Sequence, residues 1–274
     1  MSILLITPTG GRQSQINLCA NWMKNQTYTG KVTWVIVDDC DPRTTDFIPD
    51  DFKENWTIIK EHPIPLWQPG LNTQGRNISV GINIAESLPD IEAIFIIEDD
   101  DYYKPIYLER MMLRLPGHNV IGEQNTIYYN VFHRRYLPMH NMQHASLFQV
   151  AFTPEVVPVF RKCYAEKFID AHFFMLLTGA GAGIGTQNSH YTSLLQNARV
   201  NLFQENNLAV GIKGIGGRQG IGGGHTRLDR AIPDTDLLYL SKLIGEDSKL
   251  YGKFYGAVNK DNGIARQLIF SRRR

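Results

Sequence analysis

Residues 95 to 103 read FIIEDDDYY. Three apolar side chains run into four consecutive carboxylates, Glu98, Asp99, Asp100 and Asp101. Adjacent like charges repel, and a hard divalent cation on oxygen ligands is the usual remedy. Mg2+ or Mn2+ on such a site takes one or two carboxylates and leaves its other positions to substrate phosphates and water. On an extended segment Asp99 and Asp101 share a face through their i, i+2 spacing. One would bind the ion directly and the other through water or a ribose hydroxyl. Asp100 would turn towards backbone or a basic neighbour. An exposed acidic turn is the alternative, and the buried strand expected just before the run argues against it.

A second unusual stretch is GIKGIGGRQGIGGGHTRLDR, residues 211–230. Glycine lets backbone N–H groups approach a phosphate and lets a loop open and close. Lys213, Arg218 and Arg227 add charge that could neutralise a diphosphate, so the stretch reads as a lid over an anionic ligand. GAGAGIG (179–185) invites a dinucleotide reading, but neither glycine stretch has the G-x-G-x-x-G spacing or a strand-to-helix context. His140 and His144 stand i, i+4, a metal pair on a helix if a third ligand existed nearby; ordinary histidines are the better reading. FHRRYLP (132–138) interleaves His133, Arg134 and Arg135 with aromatics, as a phosphate-and-base grip or an ordinary edge strand does.

Around these residues the first half alternates. SILLI (2–6), KVTWVIV (31–37), WTIIK (56–60) and EAIFII (92–97) read as strands. Residues 13–24, 75–87 and 105–115 read as helices, the last with Pro105 at its first position. Such alternation predicts a parallel sheet with right-handed crossovers. Ligands in such sheets bind beyond the carboxyl ends of the strands. The loops after the first, second and fourth strands therefore share one edge. In the second half, strands are expected at 125–138 and 146–154, and helices at 155–166, 170–178 and 236–245. Twelve of the 24 glycines fall between Gly179 and Gly224, which sets this half apart. The fold class is α/β, a mostly parallel central sheet flanked by helices with a mixed second half. One domain is expected over 1–274: a ligand-binding half (1–105), a second half with the glycine-rich loop (106–235) and a helical tail (236–274).

Composition narrows the class further. With 43% hydrophobic and 20% charged residues, the 274-residue chain has an ordinary globular composition. A net charge of +1 gives no global pull on a polyanion, and the terminal arginines read as a solvated tail. Three cysteines without a CxxC pair argue against a disulfide framework or a structural zinc. No membrane-length apolar run and no leader pattern is present, so a cytoplasmic location is expected.

In order and spacing these elements resemble the GT-A-fold glycosyltransferases, especially the large family 2 type. The likeness covers roughly the first 105 residues and continues loosely to about 178. TPTGGR resembles the family's nucleotide loop. VIVDDCDP resembles its second strand and base- or ribose-reading aspartate, GRNISVGINIAES the ARN-type helix, and IFIIEDDDYY the DXD strand. The resemblance implies Thr7, Pro8 and Arg12 in the nucleotide pocket, with Asp38 or Asp39 on uracil or ribose. It implies Arg76 near the acids or the phosphate, and Asp99 and Asp101 as the DXD pair, Asp101 the direct metal ligand. Asp100 and Arg218 join the donor-binding set, and His225 is a further metal ligand. It also implies an inverting general base at a helix start. EKFIDAHFF offers Asp170, with Glu166 second; helix N-capping is the competing role for Asp170. The activity implied is metal-dependent transfer of a sugar from a nucleotide-sugar donor, a UDP-sugar foremost. The acceptor hydroxyl would belong to a saccharide or to a hydroxymethylated base in DNA. The rival readings are a sugar-phosphate nucleotidyltransferase and a non-catalytic nucleotide-sugar-binding protein. The former is disfavoured because TPTGGRQ lacks a lysine.

Overall fold

The computed structural model describes residues 2–179 and 198–256. A short apolar run at the start of the sequence forms an interior strand of the main sheet. Strand β1 (Ser2–Thr9) is buried from Ile3 to Thr9. Alternate side chains serve opposite faces: Ile3 and Leu5 join one core, Leu4 and Ile6 the other. Such burial on both faces explains why the run is continuously apolar rather than alternating. Each buried aliphatic side chain contributes roughly 1.5–3 kcal/mol.

Helix α1 (Gln13–Lys24), β2 (Lys31–Asp38), β3 (Trp56–Glu61), α2 (Gln74–Ser87) and β4 (Ile91–Ile96) follow close to the expected bounds. Helix α1 packs Ile16, Cys19 and Met23 on one face of the sheet, and α2 packs Ile78, Ile82 and Ala85 on the other. Strand β1 pairs in parallel with both β2 and β4, and β2 with β3, so their carboxyl ends open on one edge.

The second half is built from β5 (Tyr102–Tyr103), α3 (Tyr107–Arg114), β6 (Val120–Glu123), β7 (Ile127–Asn130), β8 (Arg135–Pro138), β9 (Val150–Phe152), α4 (Val157–Phe160) and α5 (Ile169–Thr178). After these come β10 (Val200–Phe203), β11 (Ala209–Lys213), α6 (Gly223–Thr226), β12 (Ile232–Pro233) and α7 (Leu238–Ile244). The main sheet has the order β10-β6-β9-β4-β1-β2-β3, parallel except where β9 meets β4 and β6. A second sheet, β12-β8-β7-β11-β5, is mixed. The acidic run lies between β4 of the first sheet and β5 of the second, so it ties the two together.

Several local expectations are corrected. Residues 125–138 form a hairpin, β7 with β8, whose reversal includes Arg134 at φ 49°. The helix expected over 155–166 is one short turn flanked by 3-10 turns, since Pro154 and Pro158 each withhold an N–H. Helix α3 starts at Tyr107 rather than at Pro105, whose carbonyl accepts from the Thr27 N–H at 2.7 Å. Residues 147–149 are a 3-10 turn leading into β9, not strand. His140 and His144 lie outside any helix, with His140 at φ 52°. Beyond α7 the chain continues as 3-10 helix over Gly245–Phe254, and buried Tyr251 stacks on Trp22 of α1 at 6.3 Å. Among the described residues no helix is long and apolar enough to cross a membrane. Most of GAGAGIG and the terminal arginines lie outside the described residues.

Candidate functional site

Strand β4 stops at Ile96, and the acidic run is a turn closed by the Asp101 N–H on the Glu98 carbonyl at 3.3 Å. Asp99 and Asp101 therefore do not share one partner face as they would on an extended strand. Asp99 turns to the first half of the chain, where Thr9 Oγ1 donates to its Oδ2 at 2.6 Å and Arg12 Nε donates at 3.1 Å. Arg12 also forms an ion pair with Asp99 through Nη2. Asp101 turns to the second half: the Ile212 N–H and Lys213 Nζ both donate to its Oδ1 at 2.9 Å. Its side chain is fully buried, and it is not part of the cavity wall. Glu98 and Asp100 are the pair that face the cavity. Glu98 is held by Gln74 of α2, and Asp100 by Lys213 Nζ at 2.9 Å.

The cavity has a volume of about 660 Å³ and lies beyond the carboxyl edge of the parallel strands. It falls within the range of small-molecule and cofactor sites. Its wall brings together Pro8, Thr9 and Arg12 after β1, Gln74 and Asn77 of α2, and Glu98 and Asp100. From the second half come Tyr128, Asp170, Lys213, Arg218 and His225. Of the sequence-expected residues, Pro8, Arg12, Asp100, Asp170, Arg218 and His225 thus meet in one cavity.

The others sit behind it. Thr7 is fully buried and accepts from Trp34 Nε1 at 2.9 Å, because its place on β1 points it into the sheet's helix-covered face. Thr9, two residues on, faces the acids instead. Asp38 is occupied by its own loop, accepting from the Thr44 N–H at 2.6 Å, Thr44 Oγ1 at 2.9 Å and the Cys40 N–H at 3.2 Å. Asp39 is fully buried and paired with Arg76 and Arg218, each at 3.0 Å. Arg76 also donates to the Pro65 carbonyl and to Asn77, so it braces Asp39 and is not in the wall. Gly10 at φ 158° passes directly over Asp39, where a Cβ would overlap Asp39 Oδ1.

Burial and the two inserted cations set the charges. Burial pushes Glu98 up to about 7 and Asp99 up to about 6, against the pull of Lys213 on the first and Arg12 on the second. Burial also drives Asp101 well up. Asp100 alone is held below the ordinary range: burial opposes its ionisation, but Lys213 and then Arg12 outweigh it. The ionised carboxylate of the run that faces the cavity is therefore Asp100. Burial and then Lys213 lower His225 to about 4, which leaves the imidazole neutral at ordinary pH.

Asp170 lies in the first turn of α5, whose N-cap position is Phe168, so capping is not its role. Its Oδ1 accepts from the Ala171 N–H at 2.9 Å. Burial raises its pKa, opposed chiefly by His144. A carboxyl poised above its ordinary value can take a proton from a hydroxyl brought into the cavity.

Among the described residues no group of three or more His, Cys, Asp or Glu side chains is gathered to hold a divalent ion. Asp100 and His225 nevertheless face the same cavity, and His225 Nε2 is buried without a partner. A carboxylate and a neutral imidazole suit Mg2+ or Mn2+ only if a ligand's phosphates complete the shell. That pair fits better than Asp99 with Asp101, neither of which is in the cavity wall, although Asp100 also carries Lys213.

Some residues of the wall escaped the sequence reading. Lys213 was legible as a basic residue near glycines, but not as the partner of the acidic run 112 residues earlier. Trp67, in a loop without periodicity, gave no signal. Glu98 was passed over because a regular pleat would have turned it away.

No protein-family model and no curated protein matches the sequence. Solved structures do match the fold. The S. aureus TarS 1–349 structure in complex with UDP is similar at a TM-score of 0.52 and 15% identity, over 77% of this chain and 60% of that one. TarS 1–349 in complex with UDP-GlcNAc is similar at 0.52 and 16%, over 80% and 60%. The chain thus spans about three fifths of the length of these structures, with the same mostly parallel central sheet flanked by helices.

Proposed function

We propose that the chain is a glycosyltransferase that moves a sugar from a nucleoside-diphosphate donor, a UDP-sugar foremost, to an acceptor hydroxyl. One observation carries this reading: Asp170 and Asp100 of the cation-braced acidic turn, 70 residues apart by number (170 − 100), face one cavity at the carboxyl edge of the sheet. The fold likeness to TarS bound to UDP and UDP-GlcNAc supports the donor class.

Arg12 and Lys213 place positive charge where a leaving diphosphate would gather negative charge, and they are held there before any ligand arrives. Asp170 would accept the proton of the acceptor hydroxyl as it attacks the sugar, from the opposite side to the diphosphate in an inverting transfer. Asp100 and His225 would hold Mg2+ or Mn2+ together with the diphosphate. When bound, the ion supplies Lewis-acid stabilisation of the leaving group.

The test is donor turnover. Purified protein is incubated with a panel of nucleotide sugars and saccharide or modified-nucleobase acceptors, and free nucleoside diphosphate is measured. Pyrophosphate release instead would move the assignment to nucleotidyl transfer. Binding of a donor without turnover would move it to a binding protein. Asp170→Asn is expected to lower transfer by about 10²–10⁴-fold with donor binding intact; full activity in this variant removes the residue from the mechanism.

A further inference from the structure

Tyr128 of β7 stands in the cavity wall together with Lys213 and Asp170. Its ring lies across Gly211 of β11, its register partner, where a Cβ would overlap ring carbon Cδ1. Phe148 meets the ring at a steep angle, 6.1 Å between centroids, and Lys213 Nζ is 5.6 Å from the Tyr128 centroid. Packing therefore fixes the ring, and the group behind it sets the hydroxyl. That group is Ser146, whose Oγ is 3.3 Å from the Tyr128 hydroxyl.

Behind Ser146 runs a buried polar chain in which the direction of every proton is determined. Asn141 is oriented by two backbone groups: its Oδ1 accepts from the Thr126 N–H at 2.8 Å, and its Nδ2 donates to the His144 carbonyl at 3.1 Å. Nδ2 also donates to Thr126 Oγ1 at 2.9 Å. Gln149 is oriented by the Ala209 carbonyl, to which its Nε2 donates at 3.3 Å. Its Oε1 therefore faces Thr126 Oγ1, 2.6 Å away, and takes the single threonine proton. Ser146 Oγ, 2.8 Å from Thr126 Oγ1, meets only lone pairs there and donates its own proton. For Tyr128 it then has lone pairs alone, so the phenol donates to Ser146. Thr126 and Gln149 are fully buried, and Ser146 nearly so. Reversing the chain would leave the two oxygens of Thr126 and Gln149 in contact with no proton between them, a cost of the kind that buried polar groups avoid.

We infer that Tyr128 reads one hydroxyl of the transferred sugar, and reads it only as a hydrogen-bond acceptor, because Asn141, Gln149, Thr126 and Ser146 hold the phenol proton turned away from the cavity. This rests on the glycosyl-transfer reading above and goes beyond it, since it names a residue that selects the sugar and the polarity of its contact. In such a transfer the sugar spans the gap between the leaving diphosphate and the attacking hydroxyl. Lys213 marks the first and Asp170 the second, and Tyr128 shares their wall. Burial and then Asp170 raise the Tyr128 pKa, so the phenol keeps its proton. A sugar hydroxyl can donate to the free lone pairs of Tyr128; a fluorine on the same carbon cannot. Ser146 and Thr126 are positioning residues. Their loop also serves Asp170, whose ionisation burial opposes and His144 favours, followed by backbone N–H groups that include that of Leu147.

The probes are the nucleotide sugars of the panel above, UDP-glucose and UDP-N-acetylglucosamine first, each with its deoxy and deoxyfluoro forms at every sugar hydroxyl. Calorimetry with Mn2+ reads their binding, and nucleoside diphosphate release reads kcat/KM. At one sugar position the deoxy and deoxyfluoro forms should both be about tenfold weaker than the parent sugar, the loss of one hydrogen bond in a cavity. Tyr128→Phe keeps the ring and its packing, and it should abolish the difference at that position while leaving the others unchanged. Ser146→Ala releases the phenol proton, so the deoxyfluoro form should then recover about threefold over the deoxy form. A deoxyfluoro form that matches the parent sugar in the unmodified protein would show that Tyr128 donates, and the assigned polarity is wrong. If a donor is turned over but Tyr128→Phe keeps every position's discrimination, Tyr128 does not read the sugar and the transfer reading stands. If no nucleotide sugar of the panel binds or is turned over, the transfer reading falls and this inference with it.

Discussion

Replacing Lys213 by methionine keeps the apolar stem and removes the ammonium that sits between Asp100 and Asp101. Its Nζ is 2.9 Å from each carboxylate, and the lysine side chain is only 7% exposed. Removing one partner of a buried ion pair costs about 3–5 kcal/mol, because the remaining charge stays uncompensated. Here the Ile212 N–H still serves Asp101, and Arg12 remains 3.8 Å from Asp100. Both carboxyls can also take up protons, so the lower end, about 3 kcal/mol, is expected. For a chain of this size that corresponds to a fall of about 6–12 °C in Tm. Mn2+ should recover part of the loss, since the vacated point between two carboxylates then suits a cation. An ion at about 100 times its Kd restores about 2.7 kcal/mol. Thermal unfolding of both proteins, each with EDTA and with millimolar Mn2+, decides the matter. A fall below about 2 °C, or an Mn2+ shift as large in the unmodified protein as in the variant, would refute the reasoning that Lys213 is the resident counter-ion of the turn.

Two further changes test the scaffold. Burial pushes Glu123 up to about 7 against its ordinary 4.5, and its Oε1 is buried without a partner. Between those two values the unfolded chain ionises while the folded protein keeps its proton, so this group lowers stability as pH rises and the full cost is present above about pH 7. Glu123→Gln should therefore stabilise by about 2–4 kcal/mol at pH 8 and by almost nothing at pH 4.5, checked by urea unfolding at both; equal gains at both would mean packing rather than ionisation. Gly75→Ala should destabilise by about 1–3 kcal/mol, because a Cβ there overlaps the backbone carbonyl of Tyr164, which cannot rotate away as a side chain could. It should also weaken donor binding, since α2 carries Gln74 and Asn77 into the wall; a variant as stable as the parent would show that the approach is looser than described.

The elements of the first half were legible because each strand is apolar on both faces and each helix follows at a regular interval. Helix α1 came out at the expected residues, and β1, β2, β3, α2 and β4 within one or a few residues of them. The second half was less legible where proline and non-glycine residues at positive φ break the pattern. The reversal at Arg134 and the short turn around Pro158 are two such places.

What the sequence by itself determined is the edge on which the candidate site lies. Parallel strands ending in polar loops must collect those loops on one side, whatever the details of packing. Which carboxylate faces the cavity was decided only by the tertiary structure. Period-two alternation holds on a strand, but Glu98 to Asp101 form a turn between two sheets, so Asp99 and Asp101 are drawn apart to Arg12 and Lys213 while Glu98 and Asp100 remain facing inward. The partners of charged groups in a cleft come from distant segments, and only the folded chain brings residue 213 to residue 101 and residue 218 to residue 39.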